Sequence, residues 1–154
     1  MSQTRVAILL ASALLLASCG AAESPMKEMK TGQTAAEAKG NAPSARPAWL
    51  PGDIPLPEDL VIFETNRMKL PGDSSVSHML KGYSWADTDA AAVTSGLREK
   101  ILAAGYVPEG NDAAVTPQLI QFSGNGLAQG KTAFMQVDAD GDHLLLSLSL
   151  SLPE

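Results

Sequence analysis

Hydrophobic and polar residues alternate from residue 60 onward in patterns that name their elements. Residues 60–70 (LVIFETNRMKL) open on β-branched and aromatic side chains, the composition of a strand. Pro71-Gly72-Asp73-Ser74 then supplies turn chemistry, and residues 75–85 (SVSHMLKGYSW) read as a second strand. The two predict an antiparallel hairpin. After Asp87-Thr88-Asp89 the period changes. Ala90, Val93, Leu97, Ile101 and Ala104 recur at steps of 3, 4, 4 and 3, one apolar stripe of a helix. The aspartates provide an N-cap and negative charge at the positive end of the dipole, and Arg98 and Lys100 fall toward the other end. Gly105 suits the C′ position, with Tyr106 folding back on the last turn. Gly96 interrupts the helix and predicts a close approach to the sheet.

Residues 108–117 read as loop, and residues 118–123 (QLIQFS) as a short strand. A Gly-rich connection (GNGLAQG) leads to residues 131–139 and 142–152, two strands flanking Asp140-Gly141, a strong hairpin signal. Pairing Ala139 with Asp142 places Val137 opposite Leu144, Met135 opposite Leu146 and Ala133 opposite Leu148. Ser147, Ser149 and Ser151 then line the other face. One face is expected to be buried and one wet. The order is two strands, one helix, three strands. That predicts an α+β domain, a two-layer antiparallel sheet with one helix on one face, Leu97 pressing near Leu146 and Leu148.

Upstream, four prolines between positions 47 and 57 impose extended backbone. Trp49, Leu50, Ile54 and Leu56 are expected to pin this strap to the domain edge. Residues 20–46 contain no aromatic residue and no Val, Ile or Leu, so they lack the apolar surface that offsets chain entropy. They read as a disordered tether with a reach of roughly 30 Å. Residues 34–39 (TAAEAK) have the makings of a helical turn, marginal in isolation.

Residues 6–17 (VAILLASALLLA) form an uncharged run of 12 after one arginine. A bilayer span needs roughly 20 residues, so the run fits the core of a secretory signal. It ends Leu16-Ala17-Ser18-Cys19, which resembles a bacterial lipobox: an aliphatic residue, two small residues and the one cysteine of the chain. The resemblance implies transfer of a diacylglyceryl group to the Cys19 thiol, cleavage after Ser18 and acylation of the new amine. The lipid attachment site that the resemblance implies is Cys19. The residue after Cys19 is Gly20 and not aspartate, which resembles lipoproteins sent to the outer membrane and facing the periplasm. The expected organisation is a signal peptide at 1–18, a lipidated N-terminus and linker at 19–46, and the α+β domain at 47–154. The domain is also similar to small envelope lipoprotein domains of uncharacterised function, through its DIPLPED entry and the AAGY exit of its helix.

The 154 residues are 45% hydrophobic and 18% charged, enough apolar material for one core. The formal net charge is −6. It is concentrated on residues 47–154, with 6 basic and 14 acidic side chains. Such a surface repels phosphate backbones, so no nucleic-acid partner is expected. A single cysteine excludes an internal disulfide, and no Cys/His cluster forms a zinc site.

Apparent chemical motifs fail in context. Residues 125–132 (NGLAQGKT) approach a phosphate-binding loop, but Asn125 stands where the first glycine belongs and a β-like run follows where a helix is required. Asp138, Asp140 and Asp142 resemble the start of a calcium loop. Gly141 comes two positions early, and Ser149 stands in place of the bidentate glutamate. A hairpin tip with Asp138 facing His143 is the simpler reading. His78 has no visible partner, no nucleophile elbow occurs, and Met68, Met79 and Met135 read as aliphatic filler. No cofactor, metal or enzymatic activity is expected. The expected function is that of a non-enzymatic, lipid-anchored envelope protein. Its partners are the membrane, through acyl chains on Cys19, and another envelope protein or assembly. The alternative is a small apolar-ligand or lipid-binding module with a cavity between helix and sheet.

Overall fold

The computed structural model describes residues 33–110 and 118–154. The chain forms α1 (Ala35–Ala38), β1 (Val61–Met68), β2 (Ser75–Ser84), α2 (Ala90–Ala103), β3 (Val107–Pro108), β4 (Leu119–Ser123), β5 (Ala133–Asp140) and β6 (His143–Pro153). The six strands make one antiparallel sheet in the order β1-β2-β6-β5-β4-β3. The α+β class follows, with one strand more than the two-helix-three layout. β3 is the addition: the chain leaves α2 directly against β4, where Val107 pairs with Ser123.

α2 forms where its stripe predicted. The Asp89 carboxylate accepts from the N–H groups of Ala91 and Ala92. At the far end Gly105 adopts φ +90, Tyr106 N–H donates to Ile101 and Gly105 N–H to Leu102. These are the two bonds of a Schellman cap. The buried Tyr106 ring then meets Phe122 edge-on, with centroids 5.2 Å apart.

α2 lies over β5 and β4, with Leu97 in the same buried cluster as Leu146 and Leu148. The strap covers β2. Trp49 stacks on His78 at 4.5 Å, and Leu50 and Ile54 are buried in the main core. The Tyr106 hydroxyl donates to Asp53 at 2.8 Å, and the Arg46 guanidinium donates to the carbonyls of Pro51 and Ile54. Helix and strap therefore divide the inner face between them.

Three expectations are corrected. The last hairpin is shifted by two residues: Asp140 pairs with His143, Val137 with Leu146 and Met135 with Leu148. Its two-residue loop is Gly141-Asp142, with Gly141 at φ +65 in the first position and no positive φ at Asp142. That is the type II′ requirement, whereas Asp140-Gly141 would have formed a type I′ loop. The shift keeps every leucine on its own face, because a two-residue slip preserves the alternation.

Second, the described part of the expected tether is ordered against the domain. Thr34 and Glu37 form a capping box around α1, and Ala38 is buried with Val61, Phe63 and Tyr83. Ser44 N–H donates to the Leu60 carbonyl, and Ser44 Oγ accepts from Ile62 N–H. Tertiary docking, not propensity, holds so short a helix. The outer face is accordingly covered at this corner and wet only beyond it.

Third, Gly96 does not face the sheet. A Cβ added there would meet nothing within 4 Å. The close approach occurs at Gly82, where a Cβ would lie 2.9 Å from Leu60 Cδ1 and 3.0 Å from the Val61 carbonyl. A register shift between Ile62 and Glu64 bends β1 beside it.

Candidate functional site

Cys19 and the lipobox lie outside the described residues, as do residues 111–117. Among the described residues no helix is long and apolar enough to cross a membrane. The same residues contain no group of three or more metal-ligating side chains able to hold an ion.

The hairpin tip carries a compact polar and aromatic cluster. Asp140, not Asp138, faces His143; Asp138 pairs with Leu145. His143 Nδ1 lies 3.3 Å from Asp142, and its Nε2 lies 3.8 Å from Asp140, too far for a hydrogen bond. The imidazole meets Tyr83 edge-on at 5.2 Å and lies 5.9 Å from the Trp85 ring. Tyr83 stacks on Phe63 at 4.3 Å. Burial, reinforced by the Asp140 charge, raises the Tyr83 phenol above its ordinary value. Lys39 bonds to Asp142 and, with His143, holds that carboxyl below its usual range. The cluster thus seats α1: one carboxylate joins the end of the helix to the hairpin tip.

Other residues singled out in the sequence do not converge. His78 is under Trp49, where burial and then Arg67 lower its pKa. Residues 125–132 form turns and lead into β5, while Lys131 pairs with Asp73 at 3.0 Å. Asn125 donates to the Ala104 carbonyl at 2.6 Å, so this loop caps α2. Met135 is buried filler as expected, but Met68 is 56% exposed because β1 ends at the sheet edge.

Among the described residues the inner layer is filled. Leu80, Ile101, Phe122, Met135, Leu146 and Leu148 have no exposed surface. The crevice beneath Arg98, Ile101, Ile120 and Phe122 measures about 10 Å³, the space of about one water at most.

A larger concavity lies at the rim of this layer, where α2 and the end of the strap diverge. It is an open cleft of about 520 Å³. Val93, Gly96, Leu97 and Lys100 line it from the helix, and Leu56, Pro57, Glu58 and Asp59 from the strap. Asp59 is held rigidly: its carboxylate accepts from the Ser84 hydroxyl at 2.6 Å and from the N–H groups of Trp85 and Ala86 at 2.6 and 2.8 Å. Burial acts to raise its pKa, but these hydrogen bonds outweigh it and hold the carboxyl below its ordinary value. The cleft was not legible in the sequence, since its two walls, residues 56–59 and 93–100, are far apart along the chain. Gly96 was the one signal, an unexplained glycine within a helical stripe.

No protein-family model matches the chain, and no curated protein matches it. Among solved structures the chain is similar to CalU16 from Micromonospora echinospora, at 14% sequence identity over 62% of this chain and 70% of that one. The TM-score is 0.37, too low to carry an argument about fold or function.

Proposed function

We propose that this is a lipid-anchored protein of the bacterial cell envelope, held at a membrane through Cys19, whose domain binds another envelope protein without catalysing a reaction. The observation that carries the second half is the filled layer between α2 and the sheet. A module that encloses an apolar ligand needs a cavity of several hundred Å³ inside it. Among the described residues the space between α2 and the sheet is occupied by the chain's own side chains, which favours recognition on the outside. The lipobox supports the first half. One acyl chain anchors marginally, whereas two or three on one residue hold almost permanently. The acidity of the domain keeps it from lying on anionic headgroups and leaves it free to meet a partner.

Photocrosslinking in living cells tests the reading. A photoreactive amino acid is placed in turn at exposed positions around the domain, including Glu58, Leu102 and Phe134. The expected result is a discrete adduct with one envelope protein from a contiguous subset of positions. Absence of an adduct from every position overturns the partner reading.

A further inference from the structure

We infer that the cleft between α2 and the strap is the docking groove for the partner, and that it takes an extended segment carrying a Lys or Arg side chain beside an apolar one. This rests on the partner reading above. Three features of the cleft point to that occupant.

The first is Gly96. A glycine within a helix weakens it, and its missing side chain leaves room for something to come close. Nothing in the described chain does so, since an added Cβ would meet only open space. The missing side chain therefore serves the cleft and not the core. It leaves bare backbone at Gly96, between the side chains of Val93, Leu97 and Lys100 and flanked by Leu56, Pro57 and Pro43. An apolar side chain fits there.

The second is charge. Three carboxylates line the cleft, Glu58, Asp59 and Asp87, against one ammonium, Lys100. Asp89 caps α2, and of the three only Asp87 is tied to that end, accepting from the Asp89 N–H at 2.9 Å. Asp59 is fixed by its three hydrogen bonds and kept ionised, while Glu58 is exposed and without a partner among the described residues. One fixed carboxylate with two others near it, beside an apolar floor, favours a cation that brings its own apolar neighbour.

The third is polarity along the groove. Lys100 stands seven residues beyond Val93, about 10 Å along the helix, away from Asp87 at the helix start. The acidic end selects the basic side chain, and Lys100 repels a second cation at the other end. The groove volume of about 520 Å³ accommodates two or three side chains, not a whole domain.

The test uses the full-length chain in nanodiscs of zwitterionic lipid, with methyl-labelled Leu and Val followed by NMR. The probe is acetyl-Lys-Leu-Leu-amide, with acetyl-Glu-Leu-Leu-amide as its charge-reversed counterpart. The expected result is saturable shifts at Leu56, Val93 and Leu97, with the acidic probe binding about tenfold more weakly. Gly96→Trp should abolish the shifts, because the indole fills the space, while the remaining methyl signals and the melting temperature stay in place. Asp87→Lys should weaken binding in the same direction as probe reversal. No shifts, equal binding of the two probes, or binding that survives Gly96→Trp overturns the inference. Crosslinking separates this failure from that of the parent reading. An adduct from Phe134 alone leaves a partner but removes this groove. An adduct from Glu58 that disappears with Gly96→Trp supports both, and no adduct from either position, or from any other, removes both.

Discussion

Two glycines show how one residue type serves opposite ends. Gly82 sits where β1 crosses close to β2, and a Cβ there would strike both the Leu60 side chain and the Val61 carbonyl. Gly82→Ala should therefore destabilise the domain by about 1–3 kcal/mol, the usual cost of overpacking. Gly96 has open space in a helix, so Gly96→Ala should stabilise by about 0.5–1 kcal/mol. Urea denaturation of the two variants checks the pair, and two shifts of the same sign would contradict it. His78 provides a pH signature. Burial first, and then Arg67, lower its folded pKa below 6.5. Below that pH the unfolded chain takes up the proton more readily, so stability should fall as pH drops from about 6.5. The carboxylates with lowered values, Asp59, Asp142 and Glu154 among them, lose their contributions only at lower pH, as pH falls through their folded values. His78→Gln should flatten the slope just below pH 6.5 and leave the acid limb in place. An unchanged slope would mean that His78 is free to protonate beneath Trp49.

At the scale of elements, what was legible is what is local. The Asp89 cap, the stripe through Leu97 and the Gly105 exit all lie within 17 residues, and α2 forms between them. Leu97 is buried in the main cluster whereas Glu99, two residues on, is exposed. Leu97→Ala should cost about 2–5 kcal/mol, and Glu99→Ala less than about 0.5 kcal/mol. Equal losses in thermal unfolding would contradict the helix phase. What escaped the sequence is non-local or degenerate. The last hairpin offered two loops a residue apart, and both keep the leucines inside. The alternation of hydrophobic residues could not choose between them; both need positive φ at Gly141, but the Asp140-Gly141 loop also needs it at Asp140, which does not adopt it. The docking of α1 escaped for the other reason. Thr34 and Glu37 form its capping box, but the surface it covers is assembled from Val61, Phe63 and Tyr83 on two strands distant in sequence. Ala38→Glu would place a carboxylate in that contact and should detach α1. Trypsin should then cut at Lys39 much faster than in the parent chain, while the core fragment beyond Arg46 survives. Equal cutting would mean that α1 does not protect the segment.

For the molecule as a whole, the division of charge and the fold separate two tasks. On the proposed reading the sequence before residue 20 addresses the chain, and the acidic α+β domain carries a helix and strap that share one face and a cleft where they part. The class of the domain was readable from alternation and period. Its cleft was not, because residues 56–59 and 93–100 meet only in the folded chain. The central claim is that Cys19 carries the anchor. Intact mass spectrometry of the chain extracted from cell membranes tests it most directly. The account predicts a polypeptide that begins at Cys19 and bears the added mass of a diacylglyceryl group with or without an N-acyl chain. Cys19→Ala should leave the chain uncleaved or in the soluble fraction. A membrane-extracted chain that begins at another residue and carries no lipid would contradict the claim.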